Sequence, residues 1–84
     1  EIDLVAEQDE AVVFVEVRTL KATGLGTPAE SITPSKQAHL VAAAQKYLQE
    51  HDAFDRDWRI DLVSIQLTHG RKPRLEILKN AVEL

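Results

Sequence analysis

Glu1, Asp3, Glu16 and Arg18 have the types and spacing for phosphate chemistry. In an extended strand alternate side chains share a face, so Glu1 projects with Asp3 and Glu16 with Arg18, while Val17 points the other way. If the two segments are neighbouring strands, up to three carboxylates and one guanidinium meet near one edge of a sheet. Such a group suits Mg²⁺ or Mn²⁺, since Mg²⁺ prefers hard oxygen ligands and is commonly held by one or two carboxylates while waters and phosphate oxygens fill its other positions. An ion so held can activate water and stabilise charge on a phosphodiester, and a nearby cation adds to that stabilisation. The same residues also read as ordinary surface. An acid at a strand end is usually solvated, and Glu16 with Arg18 could be an exposed ion pair contributing about 0 to 1 kcal/mol. Spacing alone favours this second reading.

The elements that would position these residues are legible from periodicity. Residues 2–6 form a short apolar run interrupted by Asp3, and residues 7–10 read as a polar turn. Residues 11–18 are dense in β-branched side chains, too short for a typical helix, and apolar enough for a central strand buried on both faces as far as Glu16. The two runs predict a hairpin. An irregular connection carrying Gly24, Gly26 and Pro28 follows. Thr33-Pro34 then predicts a helix start, since the Thr hydroxyl can cap free N–H groups and Pro fits the first helical position. The helix is expected over 34–50, with Leu40, Val41, Ala44, Tyr47 and Leu48 forming its buried stripe. After a polar loop, strands are expected over 58–67 and 73–78. This order predicts an α/β fold in which a β-sheet core packs against helix 34–50.

With 84 residues, the chain reads as a single domain over 1–84, burying roughly 60 to 65% of its unfolded surface. A content of 44% hydrophobic and 29% charged residues is that of a folding chain. The absence of Cys excludes disulfides, thiol catalysis and zinc–cysteine sites, and fits a cytoplasmic location. No apolar run approaches the roughly 20 residues of a membrane helix, so no membrane role is expected. A net charge of −4 argues against a generally basic nucleic-acid coat but leaves room for a local basic patch. The chain lacks Met, so Glu1 is read as a truncation or processing point.

Other residues carry weaker signals. Lys36 and Gln37 open the helix, where Lys36 reads as a solvated first turn and Gln37 equally as a site contact. His39, His51 and His69 lack the paired spacing of metal ligands and read as surface residues. Asp52, Asp55 and Asp57 do not meet the spacing of a calcium loop. Phe54 and Trp58 read as core anchors. Arg71, Lys72 and Arg74 read as a solvated turn, and Glu30 as a turn residue or one folded back over the acids.

The segments Glu1-Ile2-Asp3-Leu4-Val5-Ala6, Val13-Phe14-Val15-Glu16-Val17-Arg18-Thr19, Gly26-Thr27-Pro28-Ala29-Glu30 and Thr33-Pro34-Ser35-Lys36-Gln37 resemble, in order and spacing, the YraN-like family of bacterial endonuclease-like proteins. Arg59-Ile60-Asp61-Leu62-Val63 and Arg74-Leu75-Glu76 extend the likeness over nearly the whole chain. The resemblance implies a restriction-endonuclease-like fold of the PD-(D/E)XK type, as Holliday-junction resolvases also use, with a mixed sheet. It implies Asp3 and Glu16 as metal ligands, Glu1 as an additional acid, Arg18 in the place of the motif lysine, and Gln37 as a supporting polar residue. Two departures follow. Arg18 and Leu20 stand where the family pattern commonly has Lys and Arg, and an Arg keeps the charge but cannot act as a proton-transfer base. The family's N-terminal helical segment is missing ahead of Glu1, which predicts an apolar sheet face that is exposed or covered by a partner.

The expectation is therefore a Mg²⁺-dependent endonuclease acting on structured DNA, DNA being favoured over RNA as the partner. The alternative is a nucleic-acid-binding module of the same fold with weak or no cleavage, and a third reading is a protein-interaction domain. A homodimer fits each.

Overall fold

The computed structural model describes residues 2–21 and 31–82. Its elements in chain order are β1 (Leu4–Gln8), β2 (Ala11–Lys21), α1 (Pro34–Glu50), β3 (Trp58–Leu67) and β4 (Arg74–Leu78). The strands form one sheet in the order β1-β2-β3-β4. β1 pairs with β2 and β3 with β4 in antiparallel fashion, whereas β2 and β3 run parallel. This mixed sheet carrying one helix is the expected α/β arrangement, and it is consistent with a restriction-endonuclease-like core.

Several strand limits differ from the sequence reading, β1 starting at Leu4 and β4 at Arg74. β1 runs to Gln8 because the reversal takes only Asp9 and Glu10, both with positive φ (52° and 68°), as a two-residue primed hairpin requires. β2 runs three residues past Arg18 because the parallel ladder with β3 continues to the Lys21–Leu67 pair. Tertiary pairing outweighs the weaker strand propensity of Lys21 here.

Helix α1 begins as its residues dictate. The Thr33 hydroxyl accepts the Lys36 amide at 3.2 Å, the Thr33 carbonyl accepts the Gln37 amide at 2.9 Å, and Pro34 lies in the first turn. It ends in a Schellman motif, with Asp52 at φ 52° and the Ala53 amide bonded to the Leu48 carbonyl at 2.8 Å. Leu40, Ala44 and Leu48, four residues apart, are buried. They pack on Val12, Phe14, Ile60 and Leu62, the alternate residues of β2 and β3 that face the helix. Phe14 sits at the centre, edge-on to Tyr47 (5.5 Å) and Trp58 (5.8 Å). Trp58 is thus a core anchor, but Phe54 is 62% exposed, since it falls in the loop beyond the helix end and not on a strand.

The opposite face of the sheet has no described helix over it. Register places Leu4, Val15, Val17, Val63, Ile65, Leu75 and Ile77 there. Leu4, Leu75 and Ile77 are 59, 63 and 58% exposed. Asp61, also on this face, is buried and held by the Arg59 guanidinium at 3.0 Å and the Asn80 amide at 2.9 Å.

Candidate metal-binding carboxylate pair

Asp3 and Glu16 belong to one hairpin. Leu4 is opposite Val15, so the next register step brings Asp3 level with Glu16. The chain bends at Asp3, whose Oδ2 accepts the Val17 amide at 2.9 Å and so takes an N–H beyond the end of the regular ladder. Glu16 shares its face with Phe14 and therefore lies under α1, only 4% exposed. By register the Glu16 carboxyl lies beside the Asp3 carboxylate, on the same face of the hairpin. The Val17 amide chiefly holds the Asp3 carboxyl below its ordinary value, against the upward push of burial. Contact with Glu16 and the charge of Lys36 lower it further.

The cation against Glu16 is Lys36, whose Nζ lies 2.9 Å from Glu16 Oε2 with the lysine side chain 35% exposed. This corrects two readings made from sequence. Glu16 is not a solvated acid at a strand end, and its partner is not Arg18. Burial under the helix removes it from water, and the first turn of α1 supplies the charge. Lys36 is not simply a solvated residue of that turn. A signal for it was available, because 36, 40, 44 and 48 are consecutive steps of four, and the stripe that buries Leu40, Ala44 and Leu48 extends back to Lys36.

Arg18 lies on the Glu16 face by alternation, is half-buried, and forms no ion pair among the described residues. It stands opposite Ser64, a buried serine whose hydroxyl lacks a hydrogen-bond partner among the described residues, with Glu76 beyond on β4. Gln37 donates its side-chain amide to the Ile32 carbonyl at 3.2 Å, which fixes the entry to α1 next to Lys36. Glu1 and Glu30 lie outside the described residues. Arg71, Lys72 and Arg74 are exposed, as a solvated turn should be.

The donor chemistry fits a divalent cation of the Mg²⁺ type. The pair offers hard carboxylate oxygens, and the Lys36 ammonium already places positive charge against one of them. No cluster of three or more His, Cys, Asp or Glu able to hold a metal occurs among the described residues. Two carboxylates, however, match a Mg²⁺ site completed by water and phosphate oxygens.

No helix among the described residues is long and apolar enough to cross a membrane. Comparison with known proteins gives a consistent assignment. Residues 1–65 match the model of the uncharacterised protein family UPF0102. A UPF0102 protein of Dehalococcoides mccartyi is 50% identical over 82 residues, covering 98% of this chain and 67% of that protein. One from Rhodococcus opacus is 40% identical over 81 residues, 96% of this chain and 69% of its own length. One from Beutenbergia cavernae is 43% identical over 79 residues, 94% and 67% respectively. The matched region contains Asp3, Glu16, Arg18, Lys36 and Gln37, and by this match the chain belongs to the UPF0102 family.

Proposed function

We propose that this chain is the metal-ligating core of a nuclease that hydrolyses phosphodiester bonds of structured DNA, with Mg²⁺ or Mn²⁺ held by Asp3 and Glu16. The observation that carries the reading is the register that sets Asp3 level with the buried Glu16, with the Lys36 ammonium 2.9 Å from the latter. A bound divalent ion supplies Lewis-acid stabilisation of the phosphoryl oxygens and a more acidic water. The chain's own residues do the rest. The Val17 amide fixes the Asp3 carboxylate, and the roof of α1 restricts how Glu16 can turn. Gln37 steadies the helix entry. Arg18, unpaired among the described residues, offers its guanidinium to the phosphate but no base.

The test is titration of Mn²⁺ into the intact protein, alongside cleavage assays on branched, single-stranded and linear duplex DNA. Metal binding and cleavage of branched or single-stranded DNA are expected, and Asp3→Asn and Glu16→Gln should each lose both, cleavage by at least about 100-fold. Metal affinity indifferent to both substitutions would remove the basis of the reading.

Arg18 in the place of the motif lysine favours a second reading, a module that binds DNA without cutting it. It predicts affinity falling steeply with salt and no metal-dependent product. Cleavage gained by Arg18→Lys would indicate a weakened enzyme instead. A symmetric homodimer through the uncovered sheet face suits either reading.

A further inference from the structure

Register sets the two acids side by side, and the cation beside them is a lysine with more than one way to be satisfied. Glu16 is almost wholly buried, whereas about a third of the Lys36 side chain remains in water. Among the described residues Lys36 makes one ionic contact, to Glu16 Oε2. A single contact through a flexible four-carbon stem holds a charge in place without locking it, unlike the planar fork of an arginine. Arg18, two residues from Glu16 on the same strand face, leaves Glu16 to the helix.

We infer that Lys36 is the exchangeable counter-ion of the carboxylate pair: its ammonium holds Glu16 in the metal-free protein, is displaced when a divalent cation binds, and then serves the phosphate. This rests on the proposed role of Asp3 and Glu16 as metal ligands. Charge matching supports it. Lys36 brings one positive charge to Glu16. A divalent cation brings two and leaves the Lys36 ammonium without an acid, free to match the single negative charge of a phosphodiester. In this way a helical lysine does the electrostatic work that Arg18, too bulky a fork to act as a point charge, performs less well. The competing account makes Lys36 a permanent tie that holds α1 on the sheet.

The two accounts separate in a calorimetric titration of Mn²⁺ into the intact protein and its Lys36→Met, Lys36→Arg and Glu16→Gln variants, with melting temperatures taken with and without Mn²⁺. Exchange predicts that Lys36→Met binds Mn²⁺ about tenfold more tightly, because the ion no longer displaces a competitor. Its melting temperature, lowered without metal, should recover on saturation by more than the wild type gains. Lys36→Arg, which can grip Glu16 with two parallel hydrogen bonds, should fold normally and bind Mn²⁺ several-fold more weakly. Cleavage of branched DNA should fall in Lys36→Met although the metal is held harder. A permanent tie predicts unchanged or weaker Mn²⁺ binding in Lys36→Met and no change in Lys36→Arg, and either result overturns the exchange. If Lys36→Met does not fold, the Lys36→Arg titration decides alone. If Glu16→Gln binds Mn²⁺ like the wild type, the ligand assignment itself has failed, whatever the Lys36 variants do.

Discussion

At Glu16 an aliphatic run on a central strand admits a carboxylate that keeps 4% of its surface in contact with water. Removing a charge from water costs several kcal/mol, and a single ammonium on a partly wet side chain returns only part of it. Glu16→Leu is therefore expected to leave denaturant stability unchanged or raised by about 1 kcal/mol, since Lys36 can turn to solvent while the new side chain packs beside Phe14. A loss of more than about 2 kcal/mol would mean that the pair holds the fold together. Asp3 behaves differently. Its folded-state value lies below that of the unfolded chain, so its contribution to stability is present above about pH 4 and disappears as the pH falls through the folded value. Acid denaturation of Asp3→Asn should accordingly converge on the wild type at low pH and lie below it near neutrality. Strand alternation was enough to predict the facing of Asp3, Glu16 and Arg18, because a period of two depends only on local backbone. The pairing of Glu16 with Lys36 depends on which face of a crossover helix lands over which strand. No local rule contains that, although the four-residue stripe marked Lys36 as facing inward. The orphan hydroxyl of Ser64 left no trace in the sequence at all.

Among the elements, α1 carries the clearest sequence imprint, with Thr33 and Pro34 at its start, a stripe in steps of four, and an observed span equal to the expected one. Strand limits were less legible, since ladders extend for as long as a neighbour offers carbonyls, and neighbours are not written locally. The Thr33 cap matters beyond helix stability because it bonds the amide of Lys36 itself. Thr33→Ala is expected to cost about 1 kcal/mol in urea unfolding. It should also loosen the turn that presents the ammonium, so that metal affinity shifts in the same direction as in Lys36→Met, by a smaller factor. Phe14→Ala, which removes the ring wedged between Tyr47 and Trp58, should cost about 3 to 5 kcal/mol and leave too little stability for a reliable midpoint. At the other end of the sheet, the Arg56 guanidinium joins Glu7 at 3.0 Å to the Glu10 carbonyl at 2.9 Å and ties the hairpin to the loop after α1.

Across the whole molecule the sheet is asymmetric, helix-covered on one side and apolar but uncovered by described elements on the other. The composition of that face is explicit in register: Leu75 and Ile77 on β4 stand beside Ile65 and Val63 on β3. Leu75→Lys and Ile77→Lys should change stability by less than about 0.5 kcal/mol each, as exposed positions do. If two copies pair through this face, both should shift sedimentation toward the smaller species, and identical profiles at all concentrations would exclude that arrangement. The topology also separates the two halves of the carboxylate site along the sequence. Asp3 and Glu16 lie on strands joined by a two-residue reversal, whereas Lys36 reaches them only after the chain has crossed over to set β3 parallel to β2. Hairpins close in roughly microseconds, and non-local parallel pairing is far slower. Asp3 and Glu16 are thus joined by local pairing and Lys36 by non-local pairing, so a substitution that disrupts the crossover takes away the lysine while the two acids keep their common hairpin.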